Sequence, residues 1–175
     1  MTSQNSDSPT HNSDGHDSHH GHSLGESALK GALAALVGGL ALKMLWNAGQ
    51  HTLPSSERFP ASPTREAVDI LASRRGINLS STETAIAAGL VYGGVMATWG
   101  ALYGVAQDRL HPPRYLNGLL MAGMVYGTNF TRFGGLPRLG IMQPAGEQPK
   151  RQAAVPLAAH VGFGLTTAAA FEALS

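Results

Sequence analysis

Four long apolar stretches, separated by polar segments, dominate the pattern of hydrophobic and polar positions along the chain. They cover about 28–49, 84–106, 114–130 and 153–174. A bilayer core is crossed by about 20 helical residues, within a range of about 17–25. A buried helix in a soluble bundle usually keeps one polar face at the helical period, and the second stretch has none. The pattern therefore predicts an all-α fold, an integral membrane bundle of four transmembrane helices.

The polar segments divide the remaining sequence into a tail and loops. Residues 1–27 are rich in Ser, Asp, Gly and His. We expect this tail to be disordered, because such a composition buries too little apolar surface to offset the entropy of ordering. The membrane domain then covers 28–175. Between the first two spans, TREAVDILASRRG predicts a short helix that lies on the membrane surface or packs on the bundle.

Composition and charge narrow the classes of function. The chain has 175 residues, a net charge of +1 and no cysteine. These values exclude a disulfide scaffold and a thiolate metal site, and a nucleic-acid binder that works through bulk electrostatics. The sequence also lacks the GxxxxGK[ST], HExxH and GxSxG signatures. The expected partners are the lipid bilayer and either a larger membrane complex or a second copy of the chain.

Small residues indicate how the helices contact one another. Close backbone approach stabilises helix pairs in lipid, and small residues four positions apart permit it. In the second stretch one stripe of the helix carries four glycines, Gly89, Gly93, Gly100 and Gly104. We expect this stripe to meet another helix.

Two groups of polar residues inside the apolar stretches are candidate sites. Lys43 and Asn47 share a helix face with Trp46 and Gln50. This face is either an ion or headgroup site with Lys43 as its cation, or a lysine that extends to the interface beside an interfacial tryptophan. His160 lies within the fourth stretch, where an imidazole can titrate, ligate a metal or haem, or bridge helices by hydrogen bonds.

Histidines in the tail form a third candidate site. Imidazoles suit divalent zinc, copper or nickel, and His16, His19 and His20 are spaced closely enough to chelate one ion. The alternative is a solvated linker that responds to pH. No other cofactor is indicated.

Glycine–aromatic motifs in all four stretches point to a family. GGLALKMLWNAGQHTLPSSERFPASP leads into a proline-rich loop, and GLVYGGVMATWGALYG, LNGLLMAGMVYG and AAHVGFGLTTAAAFEAL follow. Together they resemble YagU-like bacterial inner-membrane proteins, whose function is uncharacterised. The resemblance covers roughly 28–174. It implies a four-helix integral membrane protein, and it supplies no activity and no site residues.

The distribution of basic residues predicts the orientation, because cytoplasmic loops carry the excess of Lys and Arg. Three such residues flank one end of the spans, Lys30, Arg109 and Arg114. The other nine belong to the opposite end, Lys43, Arg58, Arg65, Arg74, Arg75, Arg132, Arg138, Lys150 and Arg151. Both long loops are therefore predicted in the cytoplasm and both termini in the periplasm.

A small multi-pass protein of the inner membrane is the resulting expectation. A non-enzymatic accessory, scaffold or stress-related role is favoured. One alternative is a transporter or channel component for protons or metal ions. The other is a subunit of a membrane-bound enzyme complex.

Overall fold

A computed structural model describes residues 23–59 and 62–175 of the chain. All regular secondary structure in these residues is helical, so the all-α prediction is confirmed for them. A single 3₁₀ turn covers Ser55–Glu57. The α-helices are α1 (Leu24–Thr52), α2 (Pro63–Ser73), α3 (Ser81–Leu110), α4 (Arg114–Phe130), α5 (Gly135–Arg138) and α6 (Lys150–Ala173).

Three of the helices, α1, α3 and α6, are long and apolar enough to cross a membrane. They contain 29, 30 and 24 residues respectively. The third predicted span corresponds to α4, whose limits match the predicted 114–130. Its 17 residues give a length of about 26 Å at 1.5 Å per residue, less than the ~30 Å of a bilayer core.

Polar caps extend α1 and α3 beyond the first two apolar stretches of the sequence. The Ser23 hydroxyl accepts a hydrogen bond from the Glu26 backbone N–H, and α1 begins at Leu24. The predicted boundary of the tail at residue 27 is therefore wrong, because 24–27 form the first turn of α1. At the start of α3, Ser80 and Glu83 form a reciprocal capping box. Hydropathy alone misses such turns, because their helical structure depends on side chains that satisfy free N–H groups.

The long helices pack as an antiparallel bundle with α1 between α3 and α6. Along α1, Gly31 lies against Gly104 while Gly39 lies against Met96, so α3 runs in the opposite direction. The contacts of Gly38 with Phe163 and of Gly49 with Val155 show the same for α6. Helix α4 packs on α6 and runs antiparallel to it. The connection from α1 to α3 and the connection from α4 to α6 therefore lie at the same end of the bundle, which is called here the loop end.

The short helix α2 is attached to the start of α3. Thr84 donates a hydrogen bond to the Asp69 carboxylate at 2.7 Å, and the Arg65 guanidinium donates to the Ser81 carbonyl at 2.9 Å. None of the residues of α2 is buried. Helix α2 therefore packs on the bundle, which was one of the two alternatives for this segment. The other, a position at the membrane surface, stays a prediction.

Candidate functional site

Two of the four stripe glycines, Gly100 and Gly104, form the contact between α3 and α1. A Cβ atom built on Gly104 would lie 2.9 Å from the Ser27 carbonyl carbon and 3.2 Å from Gly31 Cα. A Cβ atom on Gly100 would collide with the Gly31 carbonyl oxygen. The backbones of the two helices therefore touch here, and neither position has room for a side chain.

The other two, Gly89 and Gly93, do not take part in this contact. A Cβ atom on either would meet no atom of the described residues within 4 Å. The contact with α1 instead follows a row of residues four apart, Tyr92, Met96, Gly100 and Gly104, of which all but Tyr92 are buried. Such a row is inclined to the helix axis, as expected when two helices cross at an angle. Within the described residues only Gly100 and Gly104 of the stripe therefore meet another helix, and the expected helix contact of Gly89 and Gly93 stays a prediction.

His160 is buried inside the bundle, with 5% of its surface exposed. Its Nδ1 atom lies 2.7 Å from the Pro156 carbonyl oxygen, one turn earlier in α6. The rings of Tyr126 and Phe130 meet the imidazole edge-on, at centroid distances of 5.7 and 5.3 Å. Nδ1 therefore carries the proton that is donated to Pro156, and the ring joins α6 to α4 by packing.

An aromatic cluster extends from His160 to the loop that follows α1. Trp46 stacks on Phe59 at 5.1 Å and contacts Phe130 at 6.0 Å. The Phe59 backbone N–H donates to Gln50 Oε1 at 3.1 Å. The loop thus folds back under the end of α1, and Trp46 and Gln50 face the protein.

Lys43 and Asn47 lie on the outer part of the same helix face and are exposed. Lys43, Trp46, Asn47 and Gln50 together cover about 100° of the circumference of α1 at 3.6 residues per turn. Lys43 and Asn47 lie on the exposed side of this arc, and Trp46 and Gln50 lie on the side that is partly buried. The structure does not bring the four residues together around one point. A lysine that extends to the membrane interface and an ion or headgroup site around Lys43 both stay predictions.

A polar cluster at the opposite end was not predicted from the sequence. Asn117 is 8% exposed and donates to Gln107 Oε1 at 3.1 Å, linking α4 to α3. The Gln107 amide donates to the Pro112 carbonyl at 2.9 Å. Nearby, Arg114 pairs with Glu172 at the end of α6. Asn117 sits one residue before Gly118 in an apolar run, and this isolated amide is the signal that could have revealed the cluster.

Two clefts open at the loop end. One, of about 360 Å³, lies between α1 and α6 and has Arg151 at its mouth. The other, of about 140 Å³, is lined by Phe59 and by the amides of Gln143, Gln148 and Gln152. Among the described residues, Gln148 Oε1 and Gln50 Nε2 are buried without a hydrogen-bond partner. These amides offer hydrogen-bonding capacity that the chain itself does not use.

The tail histidines His16, His19 and His20 lie outside the described residues, so their predicted metal site stays a prediction. Within 23–59 and 62–175, no three His, Asp or Glu side chains are grouped so that they could hold a metal ion.

Comparisons with protein-family models, with curated proteins and with solved structures find no match to this chain.

Proposed function

We propose that this chain is a small multi-pass protein of a bacterial inner membrane with a non-enzymatic accessory or scaffold role. The exposed apolar surface of α3 carries the proposal. Only 17% of its most apolar stretch is buried, against 50% for α6. Large apolar side chains cover the remainder, including Ile86, Leu90, Val91, Val95 and Leu102. Such a surface is typical of contact with lipid or with another protein.

We include α4 in the membrane as a fourth span, on the basis of chain direction. Because α3 and α6 both run antiparallel to α1, α3 ends at one end of the bundle and α6 begins at the other. The chain must therefore return across the bundle between Leu110 and Lys150, and α4 is the helix that does so. Its 17 residues are at the lower limit of about 17–25 for a span, and Arg114 and Arg132 lie at its two ends.

The orientation follows from the basic residues at the loop end. Arg74 and Arg75 follow α2, and Lys150 and Arg151 begin α6, so both loops contribute to one positive surface. Cytoplasmic loops carry such an excess. We therefore place both loops in the cytoplasm and both termini in the periplasm.

The packing of the interior favours a scaffold over a channel formed by one chain. Ala34, Ala159 and Phe163 are completely buried at the centre of the bundle. The Tyr92 hydroxyl donates to the Gly39 carbonyl at 2.6 Å, and the Thr167 hydroxyl to the Phe163 carbonyl at 2.8 Å. The first bond joins α3 to α1 and the second lies within α6, so these buried hydroxyls are satisfied by the backbone.

Gly89 and Gly93 are the part of α3 through which we propose assembly with another membrane helix. Small residues four apart permit close helix contact in lipid, and these two have free space around them. The partner is a second copy or a larger membrane complex. The resemblance to YagU-like proteins belongs to the same proposal, since it rests on glycine–aromatic motifs such as Tyr92-Gly93.

Purification in mild detergent with light scattering tests this assembly role. The wild-type protein should elute as an oligomer or with a larger complex, and Gly93→Leu should release a single chain. Thr98→Leu is the matched control, because Thr98 is exposed on another face of α3. A wild-type protein that elutes as a single chain, unchanged by Gly93→Leu, would contradict the proposal. Co-eluting metal or haem would favour the transporter or enzyme-subunit alternative.

A further inference from the structure

The cleft of about 360 Å³ at the loop end is an apolar groove between α1 and α6. Its walls are mainly Leu45, Gly49, Ala154, Val155 and Ala158. At the base the helices touch, since a Cβ atom on Gly49 would lie 2.7 Å from Val155 Cγ1. Leu45, Ala154 and Ala158 are exposed, so the groove opens sideways, toward the bilayer in the membrane orientation proposed above.

One end of the groove is polar and positively charged. Arg151 and Thr52 line it there, and Lys150 precedes Arg151 at the start of α6. The Thr52 hydroxyl already donates to the Gly49 carbonyl at 2.8 Å. Among the described residues Arg151 forms no ion pair, so its guanidinium is available as a donor to a ligand.

The depth of the groove matches a lipid that is anchored at the interface. Arg151 lies in the first turn of α6, and Ala158 lies seven residues further along, about 10 Å deeper at 1.5 Å per residue. Arginine binds phosphate oxygens through a planar pair of N–H groups. An apolar trough that ends at such a donor complements a molecule with an acyl chain and an anionic headgroup.

We propose that this groove binds one anionic phospholipid, with an acyl chain between α1 and α6 and its phosphate on Arg151. The proposal rests on the membrane location argued above. An acyl chain gains little by leaving bulk lipid, so the preference for this lipid depends on the headgroup. Each basic residue near an anionic lipid surface strengthens the binding of a protein to that surface by about fivefold.

Native mass spectrometry of the full chain tests the groove. The protein in mild detergent is mixed with equal amounts of phosphatidylglycerol and phosphatidylcholine that carry the same acyl chains. We expect one bound lipid, predominantly phosphatidylglycerol. Arg151→Gln should reduce the preference for phosphatidylglycerol about fivefold. Ala158→Leu should block the deep end of the groove and reduce the binding of lipid of either class.

Two matched controls separate this groove from general surface effects. Arg132→Gln removes an exposed arginine elsewhere at the loop end, and Ala169→Leu enlarges an exposed alanine further along α6. Both should bind lipid as the wild type does. Equal losses in Arg132→Gln and Arg151→Gln, lipid binding that Ala158→Leu leaves unchanged, or a wild type without headgroup preference would overturn the proposal. A chain that stays monodisperse without detergent would instead refute the membrane location.

Discussion

The contact between α1 and α3 predicts opposite effects for the same substitution at two glycines of one helix. Gly104 lies against the backbone of Ser27 and Gly31, whereas Gly93 has free space around it. Both lie within α3, so Gly→Ala should raise helix propensity equally at each. The two variants therefore differ in one respect, the presence of a neighbouring backbone.

The expected magnitude follows from this comparison. Replacing glycine by alanine inside a helix stabilises it by about 0.5–1 kcal/mol. At Gly104 the new methyl would lie 2.9 Å from the Ser27 carbonyl carbon, and a backbone cannot move aside as a flexible side chain can. Overpacking of this kind costs about 1–3 kcal/mol. Because the propensity term cancels between the variants, Gly104→Ala should be less stable than Gly93→Ala by about 1–3 kcal/mol.

Reversible unfolding in mixed detergent micelles, followed by circular dichroism, measures this difference. Gly93→Ala should unfold at or above the denaturant concentration of the wild type, and Gly104→Ala clearly below it. Measurement under conditions where the protein is a single chain keeps assembly through Gly93 out of the comparison. Equal stabilities for the two variants, or a greater loss in Gly93→Ala, would refute the claim that α3 contacts α1 through Gly104 and not through Gly93.

Two further variants test hydrogen bonds that the structure places at helix contacts and helix ends. Tyr92→Phe removes the 2.6 Å bond to the Gly39 carbonyl and should lower the free energy of unfolding by about 0.6–1.7 kcal/mol; an unchanged value would show that this bond contributes nothing to the packing of α1 on α3. Ser80→Ala removes the capping box with Glu83 and should cost about 1 kcal/mol, visible as faster hydrogen exchange in the first turn of α3 while the exchange of α6 is unchanged.

Much of the fold could be predicted from the sequence, because hydropathy alone identifies long apolar helices. The structure confirms three helices of sufficient length and apolarity, α1, α3 and α6. Their ends could not be read in the same way, since they depend on caps such as Ser23 and Ser80. Because these residues are polar, a hydropathy profile assigns them to loops.

The details of the candidate sites depended on relations between helices that a single sequence does not contain. A glycine stripe drawn parallel to the axis of α3 includes Gly89 and Gly93, but the crossing with α1 selects an inclined row that omits them. Similarly, Lys43 and Trp46 share a face of α1, yet only Trp46 packs against Phe59. That contact depends on the path of the loop, which periodicity does not specify.

Accessibility of single cysteines to a membrane-impermeant maleimide tests the central claim, a four-span bundle with both loops in the cytoplasm. The chain has no cysteine of its own, so each substitution provides a unique label. In intact cells Leu110→Cys and Ser175→Cys should react, whereas Ser73→Cys and Glu147→Cys should react only after the inner membrane is permeabilised. Reaction of Ser73→Cys and Glu147→Cys from opposite sides would show that the return through α4 does not cross the membrane, and the fully reversed pattern would contradict the orientation.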